Sequence, residues 1–114
     1  MNSASGNPWL WEGNKVSWSK TGTKSNIATI LIHGFGASRR HWRNNQYVLG
    51  DICECYAIDL IGFGESSQPK SRIKGEKTKN GDFEYKFDSW GQQIADFAKS
   101  VANKPVFLIG NSIG

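Results

Sequence analysis

The last five residues read Gly110-Asn111-Ser112-Ile113-Gly114, a G-x-S-x-G pattern directly after the apolar run Val106-Phe107-Leu108-Ile109. A strand that turns sharply into a helix lifts a serine hydroxyl clear of the sheet, and flanking glycines allow the tight packing and strained dihedrals such a turn needs. The spacing marks Ser112 as the expected nucleophile, with Gly110 and Gly114 as the supporting glycines. A serine presented in this way serves acyl transfer through a covalent adduct.

Acyl transfer also requires backbone N–H donors aimed at the oxyanion of the tetrahedral intermediate. The stretch His33-Gly34-Phe35-Gly36 supplies a glycine-rich turn after another apolar run, where an N–H is presented without side-chain interference. Phe35 N–H and Ile113 N–H are the expected pair of donors, with Gly34 and Gly36 shaping the turn. His33 is expected to steady the loop by hydrogen bonds rather than to act as a base. A third stretch, Asp59-Leu60-Ile61-Gly62-Phe63-Gly64-Glu65-Ser66, places an acid and a serine on one loop with no histidine between them. Asp59 therefore reads as a loop former that binds nearby backbone N–H groups.

The elements that must position these residues follow from hydrophobic periodicity. Residues 27–33 form a nearly continuous β-branched run, the pattern of a parallel strand covered on both faces. Ahead of it, residues 9–20 alternate weakly and suggest one or two strands with a turn near Glu12–Asn14. After the glycine turn, Ser38 can cap a helix whose apolar positions Trp42, Tyr47, Val48 and Leu49 run up to Gly50. A second strand is predicted over 52–59. A helix is predicted from a cap at Asp88, with Trp90, Ile94, Phe97, Ala98 and Val101 on one stripe. Pro105 then opens the strand that leads to Ser112. Apolar strands alternating with amphipathic helices predict an α/β architecture, a mostly parallel sheet with helices on both faces. Residues 1–26 form its opening strands and residues 27–114 its core.

The 114 residues, 38% hydrophobic and 12% aromatic, suit one globular unit. The net charge of +4 is concentrated in Lys70, Arg72, Lys74, Lys77 and Lys79. These have no interleaved aromatics and no zinc or recognition-helix spacing, so a solvated loop is expected and no nucleic-acid partner. Cys53 and Cys55 lie on one face of the predicted second strand and lack the further ligands a metal site needs. No run reaches the roughly 18 apolar residues of a membrane span and no secretory leader is visible, so a cytoplasmic protein without stable membrane insertion is expected.

The segments HGFGASRRHW, YAIDLIGFGESSQP and LIGNSIG together resemble the α/β-hydrolase superfamily over residues 27–114, and within it the pheophytinase-like group. The resemblance implies a serine nucleophile at Ser112, an oxyanion hole from Phe35 and Ile113, and ester hydrolysis without cofactor or metal. Its substrate would be a small, hydrophobic ester, in that group the phytyl ester of a chlorophyll derivative. Relatives with an aspartate at this turn form an alkyl ester, whereas serine implies acyl transfer. The resemblance also implies a triad acid and histidine after the serine in chain order. The two histidines, His33 and His41, both precede it, so the chain reads as a fold truncated after the elbow and inactive by itself.

Two other readings compete. Gly34-Phe35-Gly36 after a strand, with Asp59 ending the next, follows the outline of a dinucleotide-binding fingerprint. Arg39 stands where that fingerprint wants Gly or Ala. The other is a noncatalytic fragment of hydrolase ancestry.

Overall fold

The structure is a computed structural model that describes residues 4–22, 25–71 and 82–112. Its elements in chain order are β1 (Ala4–Ser5), β2 (Trp9–Trp11), β3 (Asn14–Val16), β4 (Trp18–Thr21), β5 (Ala28–Ile32), a 3₁₀ turn (Arg39–Trp42), α1 (Arg43–Leu49), β6 (Glu54–Ile58), α2 (Phe87–Phe97) and β7 (Val106–Gly110). Five strands form one sheet in the order β1-β4-β6-β5-β7, and β2 and β3 form a separate hairpin. Positive φ at Glu12 and Gly13 gives that hairpin the two-residue turn whose twist suits paired strands.

β5 pairs in parallel with β6 on one side and β7 on the other, while β4 joins β6 antiparallel. The expected α/β sheet with helices on both faces is thus present, with antiparallel strands at the β1 edge. Side chains alternate across a sheet, and the two faces are distinct. Ala28, Ile30, Ile32, Tyr56 and Ile58 share a buried cluster with Phe97 of α2 and Trp11 and Val16 of the hairpin, and the predicted α2 stripe packs against it. On the opposite face Leu31, Cys55 and Ala57 pack against Trp42 and Leu49.

Several boundaries differ from expectation. Ser38 does accept a hydrogen bond from Arg40 N, but it caps the 3₁₀ turn rather than α1. Tyr47 and Val48 are exposed and Gln46 faces inward instead. The Gln46 amide donates to the carbonyls of Ser19 and Cys55 at 3.1 and 3.0 Å, so a polar side chain fixes α1 to the sheet. Asp88 is not the cap of α2; Lys86 holds that position in extended conformation and Asp88 lies in the first turn, where a carboxylate favours the helix dipole. The second strand starts at Glu54. Ile52 and Cys53 remain in the turn that ends α1, their N–H groups donating to Leu49 O. Both cysteines are free thiols, and burial pushes the Cys55 thiol up to about 12.

Among the described residues β7 has β5 on one side and no strand on the other. Phe107, Leu108 and Ile109 are exposed. The register sets Phe107 beside Thr29, Leu108 beside Ile30 and Ile109 beside Leu31. Apolar side chains therefore stand uncovered on both sheet faces at this edge.

Candidate active site

The candidate residues gather at the C-terminal ends of β5, β6 and β7, the end at which open α/β sheets place their ligand crevice. Beyond β7, Asn111 N still donates to Ile32 O at 3.2 Å, which carries the following residue across to the turn after β5. Ser112 is exposed there with φ of 60°, a left-handed conformation that a non-glycine residue holds at a cost. Gly34 lies directly opposite. A Cβ at Gly34 would stand 3.1 Å from Ser112 Cβ and 3.0 Å from Asn111 O, so a hydrogen at this position is what lets the two turns meet.

Gly34 O accepts from Ala37 N at 3.1 Å, and Gly36 has φ of 76°. Together these define a turn of the kind that needs positive φ at its third residue. Phe35 is the second residue of that turn. Its N–H takes no part in the closing bond. Ile113 and Gly114, the other expected donor and the last elbow glycine, lie outside the described residues, as do Arg72, Lys74, Lys77 and Lys79. Gly110 ends β7 in an exposed position.

His33 is fully buried, with Nδ1 2.8 Å from Gly34 O and Nε2 3.0 Å from Leu60 N. The two partners fix the tautomer: Leu60 N–H can only donate, so Nε2 accepts and Nδ1 carries the proton. Burial pushes the imidazole pKa below its ordinary value, against the opposing effects of the Gly34 hydrogen bond and the Asp59 charge. Both ring nitrogens are engaged in tying β5 to the loop after β6. His41 stands on the 3₁₀ turn with its ring edge-on to Trp42.

Asp59 is also buried, 1% exposed. Its carboxylate accepts from Arg39 N at 2.7 Å and from Glu65 N at 3.0 Å, with Arg39 Nε 3.6 Å from Oδ2. The loop is closed so tightly that a Cβ at Gly64 would fall 2.4 Å from the Asp59 carboxyl carbon, and Gly64 has φ of 55°. A carboxylate so enclosed has no face to offer a ribose, and the turn at Gly34–Gly36 opens onto a 3₁₀ turn rather than a regular helix. Both points go against the dinucleotide-binding outline.

Sequence reasoning missed two residues that support the site. Gln93 is fully buried in α2; it accepts from Ile61 N at 3.0 Å and donates to Asp59 O at 3.2 Å. Trp90 Nε1 donates to Ile61 O at 2.9 Å. A glutamine inside an amphipathic stripe carries no sequence signal that sets it apart from a surface glutamine. Among the described residues no cluster of three metal-ligating side chains occurs, and no helix is long and apolar enough to cross a membrane.

Residues 28–114 match the family described as alpha/beta hydrolase fold. The chain belongs to the α/β-hydrolase family. The 1-acylglycerol-3-phosphate O-acyltransferase ABHD5 of Sus scrofa is 30% identical over 107 residues, which cover 90% of this chain and 28% of that protein. A haloalkane dehalogenase of Bradyrhizobium diazoefficiens is 33% identical over 57 residues, covering 50% of this chain and 18% of the relative. Among solved structures, a bacterial membrane phospholipase A superposes with a TM-score of 0.76 at 27% identity, covering 99% of this chain and 32% of that one. A haloalkane dehalogenase variant from Bradyrhizobium elkanii superposes at 0.81 with 20% identity, over 100% of this chain and 34% of that one. The chain thus spans under a third of the length of the curated relatives named here.

Proposed function

We propose that this chain carries the nucleophile and part of the oxyanion site of a serine hydrolase that cleaves a carboxyl ester through an acyl-enzyme. The observation that carries the reading is Ser112 itself: exposed, held at φ of 60° directly after β7, and set against the turn at Gly34. In the reaction Ser112 Oγ attacks the ester carbonyl, the oxyanion forms opposite Phe35 N–H and Ile113 N–H, and the alcohol leaves with a proton from a histidine. Water then cleaves the acyl-enzyme.

That histidine and its acid come from outside residues 1–114, because His33 is consumed by its two backbone partners and His41 belongs to the 3₁₀ turn. The elbow serine favours acyl transfer over the alkyl-enzyme chemistry of aspartate-bearing relatives. The substrate is a small, hydrophobic ester, and the pheophytinase-like wording of the three motifs points to a phytyl ester of a chlorophyll derivative. No cofactor enters the scheme. A second outcome of the same intermediate is suggested by the relative named as an acyltransferase: an alcohol in place of water would receive the acyl group.

With the histidine base in place, Ser112 reacts covalently with a fluorophosphonate probe while Ser38, Ser66 and Ser67 do not. Ser112→Ala removes the label and lowers turnover by on the order of 10⁴ to 10⁶. Mass spectrometry that puts the adduct on another serine would overturn the reading. The 114 residues alone show no turnover of short p-nitrophenyl esters above background, and a rate abolished by Ser112→Ala would refute that part.

A further inference from the structure

The turn that faces Ser112 carries a large side chain with nothing over it. Phe35 is 75% exposed, one residue from the Gly34–Ser112 contact. Its ring is held: it meets Phe63 edge-on at 5.4 Å, Phe63 meets the buried His33 ring at 5.4 Å, and Phe63 leans on Trp90 at 6.0 Å. Trp90 is in turn anchored to Ile61 O and touches Phe87, itself 66% exposed, at 6.4 Å. Isolated exposed apolar residues are ordinary, but four aromatic rings in unbroken contact, starting beside a nucleophile, form a continuous apolar surface of the kind that marks a binding site. The anchored rings lose little freedom on contact with a ligand, which is how an aromatic surface gains affinity. The acid nearest in sequence to Phe63, Glu65, is occupied by Arg39 and Arg40 at 3.1 and 3.0 Å.

We propose that Phe35, backed by Phe63 and Trp90, is the wall against which the long apolar group of the ester lies while its carbonyl sits at Ser112. This rests on the hydrolase reading for the position of the carbonyl. Phe35 then has two roles, its N–H toward the oxyanion and its ring toward the chain, and Phe63 is a positioning residue that keeps the ring in place. The ligand is identified by chemistry alone, an unbranched or isoprenoid hydrocarbon chain attached to an ester on either its acyl or its alcohol side.

The test is an NMR titration of the full chain with methyl octanoate, octyl acetate and methyl acetate. The expected result is saturable shifts of the Phe35 and Phe63 amides and the Trp90 indole N–H with at least one long ester, and none with methyl acetate. A response to methyl octanoate alone assigns the wall to the acyl side, to octyl acetate alone to the alcohol side. Phe35→Ala should weaken binding about ten-fold, the value of burying one ring face. Because the ring is exposed, unchanged amide signals from β5 and β6 will show that the variant is folded. Shifts confined to Phe107, Leu108 and Ile109, or equal affinity in Phe35→Ala, would overturn the proposal. Failure of the hydrolase reading is read separately, as absence of a fluorophosphonate adduct on Ser112 in the complete enzyme with its histidine in place, which binding to the wall does not affect.

Discussion

The imidazole of His33 makes the fold sensitive to mild acid in a way that can be worked out from its two bonds. Nε2 accepts from Leu60 N at 3.0 Å, so a second proton would set two N–H groups against each other in a site with no water-facing surface. The folded-state pKa is therefore below the unfolded value, which is about 6.5. In the interval between them the unfolded chain binds a proton that the folded chain does not, and stability rises with pH. It is fully present above about 6.5 and is lost as the pH falls toward the folded value, by about 1.4 kcal/mol for each unit crossed. Against the roughly 5–15 kcal/mol of a typical domain, one unit is easily resolved. With a urea slope of roughly 1–3 kcal/mol/M, it moves the midpoint by about 0.5–1.4 M. Urea unfolding from about pH 7.5 downward should show stability falling once the pH drops below about 6.5, and His33→Gln should flatten the slope while lowering stability at the upper end. A folded-state C–H resonance of His33 that titrates at or above about 6.5, or an equal slope in His33→Gln, would refute the reasoning.

Four more outcomes follow from particular contacts. Gly34→Val puts branched carbon where only 3.1 Å separates a bare Cβ from Ser112, and fluorophosphonate labelling of the complete enzyme should be lost with the circular dichroism of the sheet retained. Gln93→Leu strands Ile61 N, while Asp59 O keeps its bond from Ser66 Oγ at 2.7 Å, and should cost about 1–3 kcal/mol in denaturant unfolding, the cost of one orphaned group. Glu54, though burial opposes its ionisation, is held below the usual carboxylate range by hydrogen bonds from Lys104 and Lys20. Its stabilisation is present above about 4.3 and lost as pH falls through the lower folded value. Lys104→Met should therefore lower the urea midpoint near neutral pH and weaken that acid dependence. The open face of β7 should bind an apolar-surface dye such as anilinonaphthalene sulfonate in the 114-residue chain, and Leu108→Lys should reduce the signal, an unchanged signal counting against exposure at this edge.

What the sequence made legible was whatever periodicity and backbone chemistry determine locally. The β-branched run 27–33, the aromatic stripe of α2 and the G-x-S-x-G turn after 106–109 each depend on neighbours a few residues away, and the family match over residues 28–114 agrees with the architecture read from them. The inward face of α1 was not legible. Tyr47 and Val48 were expected inside because they are apolar, yet Gln46 is the buried residue, since its amide donates to the carbonyls of Ser19 and Cys55 at once, as neither apolar side chain can. Helix starts were equally ambiguous: Asp88 has the chemistry of a cap, but the extended backbone at Lys86 decides where α2 begins. The wall at Phe35 was hidden for a related reason. Phe35, Phe63 and Trp90 lie far apart in sequence, and only the joining of two loops to α2 brings their rings together.

The bonds that join those loops explain how a site made of turns is held to the precision that chemistry needs. Loops carry little internal rigidity of their own, and their polar backbone groups must find partners when covered. Here each loop is tied to an element already fixed by the core. His33 links the end of β5 to Leu60, Asp59 links the end of β6 to Arg39 and Glu65, and Gln93 and Trp90 link α2 to Ile61 and Asp59. The turn at Gly34–Gly36 thus has little freedom to move without breaking bonds to buried groups, each costing about 1–3 kcal/mol if left unmade. Ser112 has no such ties among the described residues beyond the Asn111 N–H bond to β5, and its positive φ costs about 1–2 kcal/mol. The turn at Gly34–Gly36 is therefore held by bonds to buried groups on the side that faces Ser112.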